Sequence, residues 1–208
     1  DHIILHAADI LDVSSPKITR IEQKQKRDTE TESNLSTGRG FTYSPLDFYV
    51  IPLKEKTTKG DNYVVELNFD GNLLKTDQVG LYRGWYDDNN GTRINLAATQ
   101  FESTHARKMF PCFDEPAFKS NISITVIHPK KMSTTLSNMD IISTNEIDDN
   151  LQETKFNTTP PMVTYLIAIL VSNFKCTPRQ YVELRNLTIN VCSSPLYSEY
   201  HHEYSLSV

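Results

Sequence analysis

The sequence predicts an all-β, antiparallel domain with one short helix, and three observations carry that expectation. Runs rich in β-branched and aromatic residues recur at positions 3–6, 48–53, 63–69, 80–85, 122–128, 162–174 and 181–191. Turn-forming clusters separate them: Lys59-Gly60-Asp61-Asn62, Asp70-Gly71-Asn72, Asp87 to Gly91 and the pair Pro160-Pro161. Only the segment 103–109 has helical character, with Ser103 as its N-cap and Ala106, Arg107 and Lys108 as tolerant interior positions.

Taken in order, Asp1 to His6 reads as a strand belonging to something longer, without the charged leader, apolar run or small-residue cleavage site of a signal peptide. The densest basic stretch, Lys17 to Arg27, is followed at once by Asp28, Glu30 and Glu32, the pattern of a solvated polar loop. Residues 23–45 are polar with few apolar side chains, and form either a long exposed loop or an excursion inserted between strands. Tyr63-Val64-Val65-Glu66-Leu67-Asn68-Phe69 alternates well enough to bury one face. With 208 residues and 38% hydrophobic content the chain is sized for a single domain.

Several function classes are excluded. A formal net charge of -5, with acidic and basic residues scattered along the chain, builds no field that attracts a polyphosphate. No apolar run reaches the ~18 residues of a membrane-spanning helix; the longest, 162–171, contains a tyrosine and a threonine. A zinc peptidase site needs His-Glu-x-x-His on a helix, and the chain has none. His201 and His202 are adjacent, and His2 and His6 lie on one strand, where four residues span about 13 Å and cannot share an ion. There is no Gly-x-Ser-x-Gly elbow, and Cys112, between Pro111 and Phe113, has the setting of an inert buried thiol.

Cys176 and Cys192 flank a hairpin centred on 183–186, which sets them opposite each other and predicts a disulfide. Five Asn-x-Ser/Thr triplets, at Asn34, Asn90, Asn121, Asn157 and Asn186, point to glycosylation and an extracellular location.

The run Thr99-Gln100-Phe101-Glu102-Ser103-Thr104-His105-Ala106-Arg107-Lys108-Met109-Phe110-Pro111-Cys112-Phe113-Asp114-Glu115-Pro116-Ala117-Phe118-Lys119 adds what composition cannot. It closely resembles the signature of the first domain of aminopeptidase N-like zinc metallopeptidases. Further landmarks follow that family's order: Gly80-Leu81-Tyr82-Arg83, Ile127-His128-Pro129, Leu136-Ser137-Asn138-Met139, Thr164-Tyr165-Leu166-Ile167-Ala168 and Val171-Ser172-Asn173-Phe174. The resemblance implies that residues 1–208 are one N-terminal β-domain without its first strands, twisted and saddle-like, resembling a β-sandwich. It implies a thermolysin-like catalytic domain after Val208 that binds the zinc, none being bound by this chain. The parent is then a membrane-anchored zinc aminopeptidase of the cell surface or secretory pathway.

The same resemblance brings the loop carrying Gln100 and Glu102 into the active site. An enzyme that removes one residue from a free amino end must hold an α-ammonium group, and a carboxylate does so through a charge-assisted hydrogen bond. Glu102 is therefore the expected anchor of that group, and Gln100 the lining for the first side chain. The partners implied are peptides with a free N-terminus and the parent's own catalytic domain. Phe110, Phe113 and Phe118 are expected in the core, Pro111 and Pro116 as stiffeners of the turn, and Arg107 in an ion pair with Asp114 or Glu115. His105 stands where the family commonly has an aspartate, and the stretch 23–45 is longer than the family's. A non-catalytic extracellular binding or receptor module on the same scaffold is the alternative. Retention of both Gln100 and Glu102 favours the enzyme, since a pure binding module has no use for an ammonium anchor.

Overall fold

Lys17–Gln23 and Phe101 set the fold's two halves, because each lies at the centre of a buried group. The computed structural model describes residues 1–14, 16–23, 30–73, 78–183, 187–197, 202 and 205–206. Every ladder is antiparallel. In the first half, one three-stranded sheet runs in the order His2–His6, Phe48–Pro52, Phe41–Tyr43, and another in the order Glu30–Asn34, Lys17–Gln23, Asn62–Glu66. Their inward side chains Leu5, Tyr49, Ile51 and Ile18 join Ala7 and Leu11 in one core. Gly40 lies under the Tyr49 ring, where any Cβ would collide with the phenol.

In the second half, a four-stranded sheet runs Thr134–Ser137, Ile169–Ser172, Arg93–Gln100, Gly80–Asp87. Beside it lies the three-stranded sheet Thr125–Pro129, Leu151–Phe156, Ile141–Glu146. The second core, Phe101, Ala106, Cys112 and Ile167, sits where the four-stranded sheet meets the segment 101–112. The longest hairpin, Gly80–Asp87 with Arg93–Gln100, turns at Asp88, whose Oδ1 accepts the N–H of Asn90 (2.9 Å) and of Thr92 (2.8 Å). Gly91 closes that turn at φ +75°, a conformation that side-chain-bearing residues rarely adopt.

The all-β class is as the sequence predicts, and the departures have physical causes. Lys17–Gln23 is not a solvated loop but the central strand of its sheet. Ile18 is 1% exposed, and the charges are met across the ladder: Lys17 Nζ lies 2.7 Å from Glu66 Oε2, and Arg20 Nε 2.6 Å from Asp61 Oδ2. Cross-strand pairing turned a charged segment into a good strand. Residues 24–27 of that basic stretch lie outside the described residues. The polar stretch 23–45 supplies the strands Glu30–Asn34 and Phe41–Tyr43 rather than one loop. The run 63–69 breaks after Glu66, and Phe69–Gly71 pairs elsewhere, with Leu11–Val13. The run 162–174 is interrupted by a 3₁₀ turn, Thr164–Leu166, before the strand Ile169–Ser172. The expected helix at 103–109 is a single 3₁₀ turn, Ala106–Lys108, entered from His105 and without a side-chain cap.

Cys176 and Cys192 face each other in the ladder and are joined by a disulfide. It spans 16 residues of sequence, a closure that stabilises by about 3 kcal/mol on loop-entropy grounds. Cys112 is the free cysteine; it is buried, and burial pushes its thiol up to about 12. A thiol without accessible thiolate does not react. The native unreduced protein is therefore expected to take up no thiol reagent at pH 8, and one equivalent per chain after denaturation. Two or more reactive thiols in the denatured, unreduced chain would contradict the disulfide.

Candidate functional site

Strand Arg93–Gln100 delivers the site. Its register against Gly80–Asp87 ends at Gln100 opposite Gly80, and on its other edge Ala97 and Ala98 pair with Val171 and Leu170. Thr99 Oγ1 accepts the N–H of Ile169 (2.9 Å) and reaches the Ile169 carbonyl (3.4 Å), fastening the end of the strand. Gln100 is exposed, Phe101 is 0% exposed, and Glu102 is exposed again. Gln100 is the last residue of the strand and Glu102 stands in the turn that follows it.

The chain then turns sharply, with the His105 N–H donating to the Phe101 carbonyl at 2.8 Å, and dives back into the core at Ala106, also 0% exposed. Glu102 thus stands on a turn held at each end by a fully buried residue. Among the described residues its carboxylate has no ion-pair or hydrogen-bond partner. His105 has its pKa lowered by burial and by Lys108.

Arg107, on the 3₁₀ turn after Glu102, meets Asp114: Nε lies 2.9 Å from Oδ2, and Nη2 3.3 Å from the Asp114 carbonyl. The choice left open between Asp114 and Glu115 is settled by burial, because the Asp114 side chain is 1% exposed and that of Glu115 is 54% exposed. Asp114 Oδ1 accepts from the Thr164 hydroxyl at 2.6 Å. Its backbone N–H donates to His6 Nδ1 at 3.3 Å, and His6 and Cys112 exchange both backbone hydrogen bonds (2.8 and 3.0 Å). The Asp114 knot therefore joins the first half of the fold to the second. Sequence reasoning missed Thr164 and His6 here, since they lie 50 and 108 positions from Asp114 and no local pattern announces the contact.

Of the three aromatics expected in the core, Phe110 packs against the second core, but Phe113 and Phe118 are 49% and 57% exposed. They lie against each other, ring centres 5.6 Å apart, on the outer side of the turn that buries Cys112 and Asp114. Alternation through 112–114 explains it: two inward residues leave Phe113 outward.

Two cavities are formed among the described residues without Gln100 or Glu102 in their lining. One, of about 600 Å³, is apolar and lies between the second-half sheets, lined by residues such as Leu81, Ala97, Val126 and Val171. The other, of about 560 Å³, is formed by Asp12, Arg39, Tyr49 and their neighbours. Gln100 and Glu102 are both exposed. Among the described residues no three His, Cys, Asp or Glu side chains are grouped to hold a metal ion, and no helix is long and apolar enough to cross a membrane. Asn34, Asn90, Asn121 and Asn157 are on the surface, with Asn121 Nδ2 donating to the Thr159 carbonyl at 2.7 Å; Asn186 lies outside the described residues.

The family model of the peptidase M1 N-terminal domain matches residues 1–166. The chain belongs to that family. The M1 domain is 41% identical over 166 residues to aminopeptidase N of Bos taurus, covering 78% of this chain and 17% of the relative. It is 36% identical over 176 residues to the membrane alanyl aminopeptidase of Manduca sexta, covering 84% and 17%. It is 37% identical over 173 residues to glutamyl aminopeptidase of Mus musculus, covering 82% and 18%. The chain thus spans less than a fifth of the length of these relatives.

Two measurements test the knot. Asp114→Ala leaves the Arg107 guanidinium, 15% exposed, with only the half-exposed Asp47 carboxylate at 4.0 Å, and a broken buried pair is expected to cost about 3–5 kcal/mol in denaturant unfolding; a loss below about 1 kcal/mol would show the pair to be dispensable. His6 has its pKa lowered by burial and by Arg107, against the opposing pull of Asp114, Glu115 and Asp47. The unfolded chain therefore takes up this proton first as pH falls, and stability is lost from about pH 7 downward until the lower folded-state pKa is passed. His6→Asn keeps an acceptor and removes the titration, so its melting temperature should fall less than that of wild type between pH 7 and pH 5.5. Equal slopes would refute the assignment.

Proposed function

We propose that this chain is the N-terminal substrate-binding domain of a zinc-dependent aminopeptidase that releases N-terminal residues from peptides. Glu102 anchors the substrate α-ammonium group, and Gln100 lines the space for the first side chain. One observation carries this reading: an unengaged, exposed carboxylate stands on a turn pinned between Phe101 and Ala106, each 0% exposed. An exposed glutamate kept only for solubility needs no such framing, whereas an anchor for a charged group does.

The zinc belongs to the part of the parent outside this chain, where it would polarise the scissile carbonyl and activate water. That catalytic domain and a peptide with a free amino end are the partners. The exposed pair Phe113 and Phe118 on the outer side of the Asp114 turn is the seat we assign to the catalytic domain. The glycosylation acceptor triplets at Asn34, Asn90, Asn121, Asn157 and Asn186 and the names of the relatives favour a parent exposed at the cell surface and anchored in the membrane.

Removing one side of a desolvated charge pair costs about 2–5 kcal/mol, or roughly 30-fold or more in kcat/KM. In the full-length parent, Glu102→Ala should lower kcat/KM on an amino-acid amide by that factor with an unchanged melting temperature. Glu102→Gln should be milder, since an amide oxygen still accepts a hydrogen bond. An alanine variant within about threefold of wild type would remove the anchoring role.

A further inference from the structure

We propose that Thr164 and Asp114 are positioning residues for Glu102, an inference that rests on the anchoring role just assigned. The two oxygens of the Asp114 carboxylate are divided between two segments. Oδ2 takes the Arg107 Nε (2.9 Å) and backbone N–H (3.4 Å), while Oδ1 takes the Thr164 hydroxyl at 2.6 Å. Arg107 follows the Glu102 turn by five residues. Thr164 opens the 3₁₀ turn Thr164–Leu166, which leads into strand Ile169–Ser172.

That strand pairs with the one from which Glu102 emerges, through Ala97 and Ala98, and Ile169 donates to Thr99 Oγ1 at 2.9 Å. The contacts close a ring: Thr99, the Glu102 turn, Arg107, Asp114, Thr164, Ile169 and back to Thr99. Both ends of the Glu102 turn are thereby referred to one rigid strand, Arg93–Gln100. The far end of the turn is also held by Ala106 in the second core and by the Ala8 N–H, which donates to the Arg107 carbonyl at 2.9 Å; the Thr164 link adds a directed polar tie to the segment that leads into the four-stranded sheet. A charge-assisted hydrogen bond holds its direction as well as its energy, and an anchor must be held to within about 0.5 Å to be effective.

The test uses the full-length parent and two ligands that differ only in the α-ammonium group, alanine hydroxamate and propionohydroxamate. Glu102→Ala should weaken the first and spare the second. Thr164→Val preserves shape and removes the donor, and should weaken alanine hydroxamate about tenfold while leaving propionohydroxamate within about twofold. Thr164→Ser, which restores the hydroxyl, should return the wild-type ratio. In the Glu102→Ala background, Thr164→Val should change the ratio no further, because a residue acting through Glu102 has nothing left to act on. Should Thr164→Val fail to fold, Arg107→Lys, which keeps the charge but not the two-pronged geometry, gives the same comparison.

Equal weakening of both ligands, or an undiminished effect of Thr164→Val without Glu102, would overturn the positioning role while leaving the anchor standing. An unchanged ratio in Glu102→Ala itself would remove the anchor, and this inference with it.

Discussion

A carboxylate that is 1% exposed, Asp114, is the constraint on which the rest of the molecule depends. Desolvating such a charge costs several kcal/mol, and only strong, well-aimed partners make it tolerable. Here both oxygens are engaged, by Arg107 and by Thr164, and the adjoining peptide N–H is taken by His6. Replacing one of these partners alone leaves the cost standing and removes the compensation. Such a group does little for net stability but a great deal for uniqueness. The strand His2–His6, the turn carrying Arg107 and the turn carrying Thr164 can meet in one arrangement only.

That division of labour separates folding from function within a single stretch of sequence. Phe101 and Ala106 hold the turn because burying them favours the compact state, and a Phe removed from such a site costs about 3–5 kcal/mol. Glu102, between them, is exposed and forms no contact that folding requires. Its neighbours fix its place, so on the proposed reading the residue is free to serve the ligand rather than the fold.

Legibility in the sequence followed the range of the interactions. Strands such as Phe48–Pro52 and Gly80–Asp87 were readable because β-branched and aromatic content is a local property. Lys17–Gln23 was not, because its charges look like solvent contacts until Asn62–Glu66 is laid beside it, bringing Glu66 to Lys17 and the adjoining Asp61 to Arg20. The two halves of 162–174 looked like one strand because apolar content does not distinguish a 3₁₀ turn from an extended run. In the segment 99–119, the Arg107 pairing was visible through the signature that contains it. Thr164 and His6 were invisible, since their roles exist only once distant segments have converged. Phe113 and Phe118 misled for a related reason: aromatic residues usually mark a core, and what reverses the inference is the burial of Cys112 and Asp114 on either side of Phe113.

The exposed aromatic pair also bears on why the domain is built from two small cores instead of one. A single deep core would enclose the segment 99–119, and the chain would have no rigid yet accessible surface to offer. Splitting the apolar content between Leu5–Ile18–Ile51 on one side and Phe101–Ala106–Ile167 on the other leaves the segment at a seam. At a seam, a turn can be clamped from beneath by buried groups while its outer side stays open. On the proposed reading this is what one wall of a shared active site needs: Glu102 is held for a charged ligand, and Phe113 and Phe118 lie nearby in sequence for an apolar partner surface. The polar knot at Asp114 is what makes so exposed a seam rigid, because hydrophobic contact is non-directional and would let the two cores slide where directed hydrogen bonds do not.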